Sequence, residues 1–317
     1  MKSHLVLIKI LPLIIFIFLN ISCSSTEDYD NSDFTSNVSN SIGGGEPPFI
    51  IVGDRGTILK SVDGINWQNN SISTTANFLN VTYGNYTFLI SGSQVNDKNL
   101  TFTSRGGSDW TDVTFDFGYG NTGKSAFGLD KFVVTSNNKV YYATLGSNWF
   151  ASSVGNGGEI SSIFFSDGIF YITQGTNIKM SENLTSWTNP VAAGDWKDIT
   201  VGNDLVVAVG SDGSKPYIVY FQFGSWQSRE VPNVDSSLKS IAFGNNVFTV
   251  TSGGSYHTTR DLSNWTKTSS AAIPNDITFR KGIFVAVGES GLIQTSPDGY
   301  TWTTRTSGTT ENLRDVY

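Results

Sequence analysis

The chain has 317 residues, 27 acidic against 20 basic, a formal net charge of −7, one cysteine and two histidines. The acidic balance removes the counterion-release term on which nucleic-acid binding depends. A single cysteine excludes a His/Cys metal cluster, and outside the N-terminal leader only His257 could serve a His-dependent catalytic triad.

In chain order, residues 1–22 read as a targeting segment. Lys2 opens a short charged region, and Ile10 to Leu19 is apolar apart from Pro12, a run shorter than a membrane-spanning helix needs. Leu19-Asn-Ile-Ser-Cys23 then resembles a bacterial lipoprotein signal, which implies cleavage before Cys23 and lipidation of that residue. The plain alternative is cleavage that leaves a free thiol. Residues 23–47 are rich in Ser, Asp and Asn and end in Gly43-Gly-Gly-Glu-Pro-Pro48; such a stretch cannot bury enough surface to order itself and reads as a tether. Its acids Glu27, Asp28 and Asp30 resemble surface-export signals of some Bacteroidetes lipoproteins. The resemblance implies an outer-membrane lipoprotein of the bacterial cell envelope, exposed at the surface and held by its N-terminal lipid alone. Without residues 1–22 the chain keeps 18 basic and 27 acidic residues, a net charge of −9.

From residue 48 to 317 one pattern repeats. Ser61-Val-Asp-Gly-Ile-Asn-Trp67 and Ser296-Pro-Asp-Gly-Tyr-Thr-Trp302 frame five weaker copies ending at Trp110, Trp149, Trp187, Trp226 and Trp265. Successive tryptophans are 43, 39, 38, 39, 39 and 37 residues apart, the period of a β-propeller blade. Asp63 and Asp298 suit a side-chain turn onto their own backbone, Gly64 and Gly299 supply positive φ, and each Trp opens the next strand. Asp261 with Trp265 keeps the acid; the remaining copies do not.

The strand count predicts how the ring closes. A first-type strand starts near Phe78, Thr122, Ile160, Trp196, Leu238 and Pro274, and a seventh at Leu313, where the chain stops. Trp67 has none before it. Leu313 to Tyr317 should therefore be the innermost strand of the first blade, giving an all-β, seven-bladed propeller of four-stranded antiparallel blades.

The repeat resembles the Asp-box (sialidase-type, BNR) propellers, and also the propellers similar to photosystem II assembly factors. The features shared are Val52 to Leu59 (Val-Gly-Asp-Arg-Gly-Thr-Ile-Leu) and Ser-x-Asp-Gly-x-x-Trp. Here the acid stands one residue closer to the tryptophan than in the usual Asp-box. In those families the box is a structural turn, so Ser61, Asp63, Gly64, Trp67, Asp261, Trp265, Ser296, Asp298, Gly299 and Trp302 are assigned to folding and no catalytic residue is carried over.

Candidate chemistry is sparse. No three arginines group with a tyrosine and a carboxylate as a sialidase requires, and no carboxylate pair stands out for glycoside hydrolysis. His257 reads as a packed or surface strand residue. Asp198, Asp276 and Asp315 share one position of the innermost strands with Asn80, Lys124, Ser162 and Ser240. Their oxygens could ring the channel and hold a hard cation, but a hydrated polar channel with no metal is the preferred reading. No cofactor is expected. The variable loops offer Arg55, Asp97, Phe117, Tyr119, Trp196, Asp212 and Glu289, with Gly92 to Asn99 read as a long loop. These residues are the expected ligand contacts of a monomeric, non-catalytic recognition or scaffold lipoprotein for a glycan or protein partner. The alternative is a degenerate sialidase-like, glycan-processing enzyme.

Overall fold

The computed structural model describes residues 45–317 other than 96–97, 118–121, 145–147, 192–193 and 235. The leader, Cys23 and the tether as far as residue 44 lie outside the described residues, as do Asp97 and Tyr119. Seven four-stranded antiparallel sheets form the ring of a seven-bladed β-propeller.

Blade 1 is assembled from two distant parts of the chain: Leu313–Val316 is its innermost strand, followed outward by Phe49–Gly53, Ile58–Ser61 and Gln68–Asn69. Val316 pairs with Ile51 and Asp315 with Val52, and Ile50 and Tyr317 exchange backbone hydrogen bonds at 3.2 and 2.9 Å. The closure predicted from the strand count is thus present, and it removes the open edge a partial blade would leave. The core and the closure both lie within residues 49–317. Blades 2 to 7 take four consecutive strands each, with innermost strands Phe78–Gly84, Thr122–Gly128, Ile160–Ser166, Asp195–Gly202, Ile241–Gly244 and Pro274–Arg280. Two expected starts move: Trp196 yields to Asp195, and Leu238 yields to Ile241 because Lys239 and Ser240 are both bonded to Thr251 across a local irregularity. The expected long loop from Gly92 to Asn99 is mostly hairpin, since Gln94 pairs with Asn99 and Val95 with Lys98.

Burial follows strand order. The second strand of each blade is covered on both faces by its neighbours, so it is a continuous apolar run such as Phe49-Ile-Ile-Val52 or Phe284-Val-Ala-Val287, all with no exposed surface. The outermost strands of blades 1, 2 and 7 are polar and exposed. The repeat tryptophans pack between blades: Trp302 stacks on Tyr256 of blade 6 at 3.8 Å, and Trp67 joins Val285 and Ile293 of blade 7.

A second repeat, unread in the sequence, sets how closely the blades approach. Aromatic rings of the innermost strands seat on a glycine of the preceding blade. A Cβ on Gly84, Gly128, Gly202 or Gly244 would lie 1.9–2.3 Å from the ring of Phe127, Phe165, Phe243 or Phe279 respectively. Where the glycine is replaced by Ser166, the next blade brings Val201 in place of a ring. On blade 7 the seat is taken by Arg280, and blade 1 lays the Tyr317 ring against its guanidinium.

The two faces of the ring differ in role. First-to-second-strand and third-to-fourth-strand turns make one face, here called the turn face. Second-to-third-strand turns and the links between blades make the other, the loop face. The chain joins blade 1 on the turn face. There Arg280 donates to the carbonyls of Pro47 and Pro48 at 3.1 and 3.3 Å while its guanidinium lies 4.1 Å from the centre of the Tyr317 ring.

Candidate functional site

Three regions compete for a role: the channel, the loop face and the repeat turns. In six blades a bulge precedes the channel position of the innermost strand. A bulge re-aims the next side chain, and here that residue is Asn80, Lys124, Ser162, Asp198, Asp276 or Asp315. Ser240 fills the seventh place. All seven line one central cavity of about 430 Å³, whose walls run toward the turn face past Tyr83, Phe127, Phe165, Phe243, Phe279 and Tyr317.

The ring closes on itself chemically. The innermost strands turn an unpaired edge to the channel, and the carboxylates answer it: Asp315 accepts the Val81 N–H at 2.8 Å, Asp198 that of Ile241 at 2.9 Å, and Asp276 that of Val316 at 3.1 Å. Asn80 does the same for Ser125 at 2.7 Å. Lys124 reaches across the channel and places its ammonium on Asp315 and 3.4 Å from Asp276. Positive charge among these oxygens is therefore supplied by the chain itself. Burial opposes the Lys124 charge, but Asp276, Asp315 and Asp198 outweigh it and hold its pKa well above the usual lysine range. Burial pushes Asp315 up to about 7, with Lys124 opposing and Asp276 adding to the rise. Asp198 is likewise raised by burial. Ser240 Oγ has one proton to give and lies 2.8 Å from both Asp198 and Asp276. The second contact becomes a hydrogen bond when one carboxyl carries its own proton, the direction in which Asp198 is driven. Among the described residues no group of three or more His, Cys, Asp or Glu is arranged to hold a metal ion.

The repeat turns spend their polar groups on their own backbone. Ser61 Oγ accepts the Gly64 N–H at 2.8 Å and Asp63 Oδ1 accepts those of Ile65 and Asn66 at 2.8 Å; Ser296 and Asp298 repeat the scheme with Gly299, Tyr300 and Thr301. Asp261 accepts from Ser263 and Asn264. One copy without the acid is not degenerate in geometry: Asn183 accepts from Thr185 and Ser186 at 2.9 Å, so a neutral amide oxygen makes the same turn. The backbone donors hold Asp63 and Asp261 far below the usual carboxylate range. Burial opposes ionisation of Asp298, yet the N–H groups of Thr301 and Tyr300 prevail and its pKa is lowered too.

The expected ligand contacts divide. Arg55, Asp212 and Glu289 lie on the loop face, each in a second-to-third-strand turn. Arg55 stands at φ 55°, donates its N–H to Asn77 and keeps 71% of its side chain exposed, with Glu311 3.7 Å away. Asp212 accepts the N–H groups of Ser214 and Lys215 and so closes its own turn. Two residues are corrected. Trp196 is 2% exposed, packed against Tyr171, Ile178 and Val219 between blades, and Phe117 is 1% exposed under Tyr141 and Trp149. Each ring turned inward because the apolar seam between blades was open to it, so neither presents a stacking face. The structure brings Arg55 and Glu289 together on adjacent blades with residues that sequence reasoning missed. Arg314 makes a two-point contact to Asp54 at 2.7 and 2.8 Å, and half-buried Lys239 bonds Asn275 at 3.1 Å. Burial lowers the Lys239 pKa, with Glu289 opposing. The tandem Asp54-Arg55 turn beside the channel mouth was the available signal.

His257 touches Ser252 and Ser255 at 3.2 Å through Nε2, the residue pair of nucleophilic hydrolases. All three are at most 3% exposed, so the group is closed to substrate and serves packing.

No protein-family model and no curated protein matches the sequence. Solved structures do match in fold. YCF48 bound to D1 peptide is 14% identical with a TM-score of 0.61, covering 83% of this chain and 89% of that one. YCF48 from Cyanidioschyzon merolae is 13% identical with a TM-score of 0.59 over 79% and 97%. Saccharomyces cerevisiae Sqt1 is 10% identical with a TM-score of 0.59 over 82% of each. Likeness at these identities is one of architecture.

Proposed function

We propose that this chain is a non-catalytic scaffold that recognises a protein partner on its loop face, around blades 7 and 1, while its N-terminal segment tethers it through lipidated Cys23 as a monomeric outer-membrane lipoprotein. The observation that carries the reading is where the chain joins the ring. With Pro47 and Pro48 clasped by Arg280 on the turn face, an anchor at Cys23 leaves the loop face outward. There Arg55 and Glu311, paired at 3.7 Å, stand with Glu289 and Lys239 as a cluster of charge of both signs, and loops on a rigid scaffold are where recognition concentrates. That a propeller of the same architecture has been seen with a bound peptide supports a protein partner. The glycan reading has less support, because the two described aromatic residues assigned to it are buried. The glycan-processing alternative would need the channel carboxylates, whose oxygens are already bonded within the ring. The turn chemistry at Asp63 and Asp298 supports placing the chain beside the Asp-box propellers.

The test is site-specific photo-crosslinking in intact cells. A crosslinker at position 55 or 289 should yield one shared adduct, which Arg55→Glu, combined with the probe at 289, reduces about tenfold or more if Arg55 is a hot spot. Adducts arising only from turn-face positions such as 130 would overturn the placement. For the anchor, Cys23→Ala should abolish acylation of the mature chain; a parent chain whose Cys23 carries no lipid would overturn the tether.

A further inference from the structure

Among the described residues, all seven large apolar side chains that are more than a third exposed lie toward the turn face: Val62, Ile65, Tyr86, Leu129, Phe150, Phe221 and Phe223. Three of them stand at turn tips where folding argues against them. Tyr86, Leu129 and Phe223 have φ of 58°, 50° and 52°, the left-handed region that favours Gly, Asn and Asp. At the tips matching Tyr86 and Leu129 three other blades do use those types, Asp167-Gly168, Asn203-Asp204 and Asn245-Asn246, and blade 7 has Lys281-Gly282; Phe223 stands with Gly224 in the third-to-fourth-strand turn of blade 5. Phe223 is 96% exposed and Tyr86 65%. Tyr86 and Phe223 gain little from burial, and all three hold a backbone conformation that their residue types disfavour, the mark of side chains kept for a purpose other than folding.

We infer that the turn face docks on a lipid bilayer, with Tyr86, Leu129 and Phe223 dipping into its interfacial layer. The inference rests on the tether reading above. If Cys23 is the anchor, the chain leaves the bilayer there and reaches the ring at Pro47–Pro48 on this same face. The 22 Cα-to-Cα steps from Cys23 to Gly45 span at most about 80 Å, so the anchored ring stays within that reach of the bilayer. The tips belong to separate hairpins of blades 2, 3 and 5. A protein interface needs a contiguous, packed core, whereas a fluid apolar layer accepts isolated insertions, and aromatic side chains favour the headgroup boundary. Weak docking suffices, because a short tether raises the effective concentration of the surface to the millimolar range. Beside the tips stand Asn85, Asp130 and Gly224, with Lys131 as the neighbouring cation, its ammonium 3.5 Å from the Leu129 carbonyl oxygen, so the contact is chiefly apolar and depends little on salt.

The test separates docking from anchoring. Mass spectrometry of the mature chain reads acylation of Cys23 by itself. Docking is read on the chain from residue 23 onward carrying Cys23→Ser, by flotation with vesicles of phosphatidylethanolamine and a minority of phosphatidylglycerol. The protein is expected to float at millimolar lipid, equally in half-molar sodium chloride. The triple variant Tyr86→Ser, Leu129→Ser, Phe223→Ser should float about tenfold less or worse, with its melting temperature unchanged or raised. An Asp212→Ser control on the loop face should float as the parent does. Failure of the Cys23→Ser chain to float, or equal flotation of the triple variant, would overturn the inference whatever the acylation result; so would a stable complex of these tips with a soluble protein that excludes lipid.

Discussion

Aspartates in two regions of this propeller do one job under opposite conditions. At the rim, Asp63 and Asp261 accept backbone N–H groups in water, and the donors lower their pKa. In the channel, Asp198 and Asp315 also accept backbone N–H groups, and burial raises theirs. Hydrogen bonding to the charged form is common to both; solvent decides the sign. A rim carboxylate needs no counter-charge. Three buried carboxylates around one channel need a cation or a proton, and this chain supplies Lys124 and the elevated pKa of Asp315.

The comparison can be broken most severely by removing the strand that carries Asp315. Deleting residues 313–317 strips Leu313 and Val316 from the core, each worth roughly 1.5–3 kcal/mol, and leaves blade 1 open on its inner edge. The expected outcome is loss of cooperative thermal unfolding, with aggregation; a sharp transition at the parent temperature would refute the closure.

Lys124→Met tests the counter-charge directly. It should cost about 3 kcal/mol in urea unfolding, since it leaves buried carboxylates without their cation. Adding Asp315→Asn should recover part of that loss, a non-additivity expected of groups in one network. Strict additivity would mean that the two do not interact.

The pH dependence sharpens the contrast between the regions. Asp315 has a folded pKa near 7, above its unfolded value. The folded state therefore binds its proton more tightly, and this contribution is present below about pH 4 and fades as pH rises through 7. The rim aspartates act oppositely, stabilising above about pH 4 and losing that below it. Maximum stability should lie on the acid side of neutrality, with a melting temperature a few degrees higher at pH 5 than at pH 8. Asp315→Asn should flatten the difference. A melting temperature that falls from pH 8 to pH 5 would contradict it.

The smallest effect belongs to the rim. Asp63→Ala leaves two N–H donors to water and should cost about 1 kcal/mol. Asp63→Asn should cost less, because Asn183 already makes the same turn in blade 4. Equal losses for both variants would show that charge, rather than the oxygen, holds the turn.

The architecture was legible because one tryptophan per blade and one first-type strand per tryptophan are local patterns that survive degeneration of everything between them. The closing strand at Leu313 was legible for the same reason. The site was less so. Asp198, Asp276 and Asp315 could be aligned in the sequence, but whether Lys124 meets them depends on a crossing between blades 3, 7 and 1. Trp196 and Phe117 were misread because an aromatic residue at the start of a strand or in a loop does not disclose which side of the seam it will fill. The glycine seats were legible in principle as Tyr-Gly or Phe-Gly pairs one repeat apart, and Val201 opposite Ser166 is the compensation that identifies them.

The clasp at the chain's start has a mechanical consequence. Any drag on the N-terminal segment is delivered through Pro47 and Pro48 into Phe49–Gly53, a strand flanked on one side by Leu313–Val316 and on the other by Ile58–Ser61. The pull runs along the strand axis and the ladder bonds lie perpendicular to it, so force loads both ladders in shear and all their rungs at once. Peeling, which opens rungs singly, is the geometry that would begin at an outermost strand. By beginning in the second strand of a blade and closing over it with the last, the chain is fastened at the place in its ring where a tug is shared most widely.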